Sequence, residues 1–294
     1  MSWRARLEAI PVWVWLGALY LASVGFRILL ARRHPAPWIY SDELIYAALA
    51  KNLAATGHFA VRDIQGLLGY GPLYPALIAP AYRVFTDLAH AYTAAKGINA
   101  VVMSAAVFPA YLIARRFLGR WLALLAALLA VAIPSMEYTS TIMTENAFYP
   151  LFLLCAWAMI RALEEPTLRT QLLAVGLIVP TFLVRAQAIA LVPALVTAIL
   201  LLVVSEAWAG GRLRDVRALG GRLRMFAPAL IALGAGLLLL LGLQLVRGRS
   251  FSQLLGTYQG LRWHRLWYGH IARALMATTD LPVLVVNRYT TCRC

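Results

Sequence analysis

The chain has 294 residues, of which 62% are apolar and 13% charged, with a mean hydropathy of +0.73. Soluble domains run about 45–50% apolar and about 25% charged, so a soluble globular protein is excluded; Cys155, Cys292 and Cys294 are too few and too badly spaced for a disulfide scaffold. The formal charge of +15 would ordinarily point to nucleic acid or an anionic surface, but in so apolar a chain it must first be weighed against membrane topology.

A helix crossing about 30 Å of hydrocarbon needs about 20 mostly apolar residues. The first candidate runs over 11–30, behind Arg4 and Arg6. Its apolar run is too long for a signal-peptide core, and no small-residue cleavage site precedes Arg32 and Arg33, so it reads as an uncleaved anchor. A long loop, 31–92, comes next. Further spans are predicted over 93–115, 117–134 and 143–163, then over 171–204 as two shortened helices meeting near Arg185, and finally over 225–246. The fold class is therefore an all-α, polytopic transmembrane bundle of about seven spans, one membrane domain over 1–294, with amphipathic surface helices in its first loop.

Arginine in short loops marks the cytoplasmic side. With the N-terminus inside, the inner segments hold Arg4, Arg6, Arg115, Arg116, Arg120, Arg161 and Arg169, then Arg212, Arg214, Arg217, Arg222 and Arg224. The short outer turns hold only Arg185. The loops 31–92 and 247–294 are then external, in a multi-pass protein of the plasma membrane. About half of the positive charge is thus an orientation signal, and the remainder faces outward. No basic surface for nucleic acid emerges.

Within the first loop, Pro35 and Pro37 end the anchor, and Ser41-Asp42-Glu43 opens an apolar helical segment reaching Leu53. Ser41 suits an N-cap and the two acids suit the helix dipole. A turn, Gly69-Tyr70-Gly71-Pro72-Leu73-Tyr74-Pro75, leads into a second amphipathic segment over 75–88. Two half-buried helices joined by a tight turn would roof the outer face of the bundle. Carboxylates at the hydrocarbon boundary are expensive and mark candidate sites. Asp42 and Glu43 qualify, and so does Glu145, which heads the span after an outer turn containing Glu137. Cations on the same side are Arg62, Lys96, Arg185, Arg262, His264, Arg265 and His270. Lys96 also reads as a snorkelling lysine, and Arg262-Trp263-His264-Arg265 as an interfacial belt. Arg185, with Gln187, interrupts an apolar stretch, as residues lining a cavity do.

Asp42-Glu43-x-x-Tyr46 opening a surface helix after the first span resembles the signature of GT-C polytopic glycosyltransferases. The nearest branch is that of protein O-mannosyltransferases and lipid A aminoarabinose transferases, glycosyltransferase family 39. The resemblance continues through Gly71-Pro72-Leu73-Tyr74-Pro75, Tyr111-Leu112-x-Ala114-Arg115 and Thr144-Glu145, covering roughly 1–204. It implies an enzyme that takes a sugar from a polyprenyl-phosphate donor and passes it, with inversion, to a hydroxyl acceptor on the external face. The acceptor is a protein, a lipid or a cell-envelope glycan; neither it nor the sugar is readable here. The resemblance makes Asp42 the catalytic base, with Glu43 and Glu145 orienting groups. Some members use a divalent cation, which Asp42, Glu43 and Glu145 could hold; the sequence leaves this open. Two departures matter. The aminoarabinose branch has Lys and Pro where Tyr70-Gly71 stands, so that lysine's phosphate contact is not carried over, and Glu145 replaces the usual Asp.

Independently of the resemblance, glycosyl transfer needs a base within reach of the acceptor hydroxyl and cations where charge grows on the leaving phosphate. Lys96, Arg185, Arg62 and His264 are the expected donor-phosphate contacts. There is no P-loop, dinucleotide fingerprint, HExxH or paired CxxC. The chain ends in Cys292-Arg293-Cys294 just after an apolar run begins, which reads as a truncated or frame-shifted member of a longer family. The rival reading is a non-enzymatic transporter or flippase for a lipid-linked or anionic solute, although no inverted repeat is evident. A weaker one is an inactive assembly subunit.

Overall fold

The computed structural model describes residues 7–34, 41–61, 64–65, 70–133, 138–211 and 215–246; the side chains of residues 41, 60, 61, 64, 65, 216 and 244 lie outside that description. Helix α1 (Val12–Ala31) starts directly after Pro11, whose φ of −58° suits a position needing no backbone donor. Its 20 residues, rising about 1.5 Å each, match the thickness of a hydrocarbon core. Helix α2 (Ser41–Thr56) carries Asp42 and Glu43 in its first turn and stops at Gly57, whose φ of +74° lets its N–H close onto the Leu53 carbonyl at 2.9 Å. A minimal antiparallel pair, Ala60–Val61 with Ile64–Gln65, separates α2 from α3 (Leu73–Val84).

Helix α4 (Leu88–Ser104) is capped by Asp87, which accepts the His90 N–H at 2.9 Å. It continues past a break at Ala105 and Ala106 into α5 (Val107–Ala114). The remaining helices are α6 (Arg120–Val131), α7 (Glu145–Glu164), α8 (Leu168–Val184), α9 (Leu191–Ala209), α10 (Val216–Arg224) and α11 (Ala227–Val246). A 3-10 turn, Ala186–Ala190, joins α8 to α9.

Apolar helices therefore stand near every predicted span, in an all-helical membrane bundle. Four are long and apolar enough to cross on their own: Val12–Ala31, Leu88–Ala114, Glu145–Glu164 and Ala186–Ala209. The pair Arg217–Arg224 and Ala227–Leu243, bent by 68°, makes a fifth if it counts as one span. The other two are short, at 12 residues for α6 and 17 for α8. The second span starts five residues earlier than expected, because Asp87 provides a cap ahead of the polar-looking Leu88–His90 turn.

The loop helices are packed more deeply than a half-buried roof. Tyr46 and Ala50 of α2, Tyr74 and Ile78 of α3, Tyr92 and Ala95 of α4, Ile142, Ala147 of α7 and Val184 of α8 form one core. On α2 the buried stripe is Glu43, Tyr46, Leu49 and Ala50, whereas Leu44 is 59% exposed; that spacing is one helix face.

Arg27, four residues from the end of α1, is fully buried. Its Nε donates to Ser23 Oγ at 3.2 Å, its Nη1 to Thr139 Oγ1 at 2.5 Å and its Nη2 to the Val131 carbonyl at 3.5 Å. Among the described residues its hydrogen-bond partners are thus two hydroxyls and a carbonyl, all neutral.

Candidate active site

The two adjacent acids of α2 diverge. Asp42 is partly exposed, and its Oδ1 accepts the Tyr70 hydroxyl at 2.8 Å. Glu43 is fully buried; its Oε1 accepts the Tyr92 hydroxyl at 2.5 Å and the Ile142 N–H at 2.9 Å. Glu43 thus ties α2 to α4 and to the segment that leads into α7. Replacing Glu43 by Ala orphans the Ile142 N–H, at about 1–3 kcal/mol, and leaves the Tyr92 hydroxyl only the Ser140 carbonyl at 3.4 Å, so a lowered unfolding temperature in detergent is expected. Glu43→Gln, which keeps an acceptor oxygen, should lose far less.

That segment, 138–144, is held from several sides. Arg27 bonds Thr139 and Glu43 bonds Ile142 N–H, as above. Asn99 Nδ2 donates to the Thr141 carbonyl at 3.0 Å, while its Oδ1 accepts the Tyr74 hydroxyl at 3.1 Å. Asn146 Nδ2 donates to the carbonyls of Tyr138 at 2.9 Å and Met143 at 3.0 Å. The result is a fixed polar platform at the head of α7, which positions Thr144 and Glu145.

From there a string of polar contacts crosses the face of the bundle. Arg185 Nη1 is paired with Glu145 Oε1, and Arg185 Nε donates to Gln187 Oε1 at 3.1 Å. The guanidinium also lies 5.9 Å from the Phe148 ring centroid. Thr144 Oγ1 donates to Glu145 Oε2 at 3.3 Å, and Thr144 lies beside the Tyr46 hydroxyl. The Tyr46 and Tyr70 rings meet edge to face at 5.2 Å, which brings the string to Asp42. Burial pushes the Tyr46 hydroxyl up to about 12, with Asp42 and Glu145 adding to the rise. Burial first, then the hydrogen bond to Asp42, also raises Tyr70. Both phenols therefore remain protonated donors at physiological pH.

Arg185 owes its position to a break. It has extended backbone, φ −152°, between α8 and the 3-10 turn, and this aims the side chain back across α7. The break is docked against the first loop by Gly71. A Cβ on Gly71 would overlap the carbonyl oxygens of both Leu183 and Val184, so only glycine permits the approach. Gly71→Ala must push the Tyr70 turn away from the Arg185 break. Displacements of about 1 Å near reacting groups lower rates about 10²-fold, so a comparable loss of activity is expected, with about 1–3 kcal/mol of overpacking visible in thermal unfolding.

The predicted site residues thus fall into groups. Asp42, Glu145 and Arg185 all lie near Tyr46, whereas Glu43 is buried against Tyr92 and Ile142. Lys96, expected on the donor phosphate, is instead 3% exposed. Its Nζ donates to the Ala31 carbonyl at 2.9 Å and the His34 carbonyl at 2.6 Å, and sits 4.7 Å from the Tyr92 ring centroid. It caps the end of α1, where carbonyls lack helical partners. Lys96→Met should therefore lower the unfolding temperature while leaving the donor KM unchanged, a result that a phosphate contact would not give. Arg62 and His264 lie outside the described residues, as do Glu137, Arg262, Arg265, His270 and the tail over 247–294. Among the described residues no group of three or more His, Cys, Asp or Glu side chains is placed to hold a metal ion; Glu43, turned toward Tyr92 and Ile142, does not join Asp42 and Glu145 as a third ligand.

Arg27, Tyr92 and Asn146 were not singled out from the sequence. Arg27 carried a usable signal, since a charged residue inside an apolar span is a candidate for a specific role.

The family model described as dolichyl-phosphate-mannose-protein mannosyltransferase matches residues 70–232, more than half of the chain. The matched stretch contains Tyr70, Gly71, Glu145 and Arg185; Asp42 precedes it. No curated protein and no solved structure matches the chain.

Proposed function

The chain belongs to the dolichyl-phosphate-mannose-protein mannosyltransferase family, a GT-C, family 39-like group of membrane glycosyltransferases that use lipid-linked donors, and on that premise we propose how its residues carry out transfer. The reaction is inverting transfer of a sugar from a polyprenyl-phosphate donor to a hydroxyl acceptor on the external face of the plasma membrane. The observation that supports this reading is that Asp42, from the first loop, and the Glu145–Arg185 pair border the same residue, Tyr46, at one end of the bundle.

Asp42 takes the proton of the acceptor hydroxyl as its oxygen attacks the anomeric carbon. The bond from that carbon to the phosphate oxygen breaks, and the phosphate leaves with the electron pair. Arg185 faces the charge growing on the phosphate. Its pairing with Glu145 and Gln187 holds the guanidinium in one orientation, and Tyr70 orients the Asp42 carboxylate. The acceptor is a hydroxyl of a protein, a lipid or a cell-envelope glycan. With the N-terminus cytoplasmic, the arginine-rich end of the bundle faces inward.

Membranes containing the full chain, supplied with labelled polyprenyl-phosphate mannose, are expected to move label into a protein, lipid or glycan fraction. Label that crosses reconstituted vesicles unchanged, with no transferred product, would support transport and overturn the enzymatic reading. A reporter fused between α3 and α4 tests orientation; cytoplasmic activity there would reverse it.

A further inference from the structure

We propose that the arginine-rich end of the bundle holds a cleft for one anionic diacyl phospholipid, a site separate from the transfer chemistry. At the end opposite Glu145 and Arg185, the helices α5, α7 and α8 border a cavity of about 510 Å³. Each contributes the same two tiers to its lining. Arg115 and Arg116 follow α5, with Leu112 one turn back; Arg161 of α7 stands one turn beyond Trp157; Thr170 of α8 stands one turn before Leu173. Residues three or four apart share a helix face about 5.4 Å apart along the axis. Three guanidiniums therefore lie at the helix ends, beside the Thr170 hydroxyl that caps α8 through the Glu165 carbonyl, over a leucine, an indole and a second leucine one turn deeper. A phosphate above and an acyl chain below fit that order.

The charge selects the headgroup. Arg116 pairs with Glu164 at 2.9 Å, and Arg161 with Glu165 at 2.7 Å and Glu164 at 3.9 Å. Arg115 donates to the Leu118 carbonyl at 3.1 Å, a neutral acceptor. Three guanidiniums against two carboxylates leave one positive charge, centred on Arg115, and a phosphodiester carries one negative charge. A zwitterionic headgroup would bring an ammonium back among the arginines. Inorganic phosphate would satisfy the charge but make no use of the apolar tier, where Leu112 and Leu173 are 38% and 45% exposed. Basic pockets between membrane helices recognise anionic headgroups by this logic, and tryptophan at the interfacial level is in keeping with it.

The test uses the purified full chain in detergent micelles, titrated with phosphatidylglycerol and with phosphatidylcholine of the same chains. Native mass spectrometry should show phosphatidylglycerol retained preferentially, and Arg115→Gln should weaken it about fivefold, the worth of one basic residue near an anionic lipid. Phosphatidylglycerol brominated on its acyl chains should quench a fluorescence component that Trp157→Phe removes; this readout needs no charge variant to fold. Equal retention of the two lipids, unchanged affinity in Arg115→Gln, or quenching that survives Trp157→Phe would each overturn the site. Inorganic phosphate displacing the lipid at equal concentration would do the same, because the cleft would then be a simple anion site. None of these readouts depends on sugar transfer.

Discussion

Asp42→Asn is expected to abolish most sugar transfer while leaving the fold in place. The amide oxygen still accepts the Tyr70 hydroxyl that Asp42 Oδ1 accepts at 2.8 Å, so the α2 turn keeps its anchor. What disappears is a group able to take the acceptor's proton, which is worth about 10²–10⁴-fold in rate. The loss should fall on kcat, with the donor KM little changed, because the donor phosphate does not rely on this carboxylate. Single-turnover assays on membranes separate the two. Transfer at the wild-type rate by Asp42→Asn would remove Asp42 from the chemistry and shift attention to Glu145.

Arg185→Gln is expected to produce the next largest loss, about 10²–10³-fold, as when one preorganised donor to a developing negative charge is removed. Two effects combine here. In the proposed mechanism the leaving phosphate loses its cation, and the Glu145 carboxylate loses its ion-pair partner. Arg185→Lys should recover only part of the rate, since an ammonium cannot hold Glu145 and Gln187 in the geometry of a planar guanidinium. The double variant Glu145→Gln, Arg185→Gln supplies the control. If Arg185 acts only by neutralising Glu145, the double variant regains activity; if it serves the phosphate, it does not.

The run lengths of apolar residues placed the helices well, since a span must fill a fixed thickness and ends such as Pro11 and the Arg185 break stand out in the sequence, whereas the Asp87 cap did not. They were less informative where length falls short: α6, at 12 residues, reads in sequence like a full span because apolar residues flank it on both sides. Asp42, Glu145 and Arg185 stood out as charges at the hydrocarbon boundary. Their grouping did not, because Arg185 and Glu145 are 40 positions apart and nothing local records such a contact. The same holds for Glu43 and Ile142, separated by 99 positions. Adjacent in sequence and equal in charge, Asp42 and Glu43 look interchangeable until helical rotation carries one toward the core and leaves the other at the surface. Lys96 shows the converse: its position was legible, but the carbonyls of Ala31 and His34 that claim its ammonium belong to a helix end some 60 positions earlier.

Arg27 bears on the order in which the bundle is assembled. The Val131 carbonyl and the Thr139 hydroxyl that receive its guanidinium lie 104 and 112 positions further along the chain. Of its three hydrogen-bond partners among the described residues, Ser23, one turn back on the same helix, is the one available before that part of the chain emerges. A lone arginine in a membrane helix meets its needs by reaching along its own length to the headgroups, and Arg27, four residues from the end of α1, is close enough to do so. Arrival of α6 and of the turn after it then exchanges water and headgroups for protein. The α1 helix can dock on α4 earlier, through Ser23 and Ser104 at 2.9 Å, but the Arg27 guanidinium is fully enclosed only when the later segment has arrived.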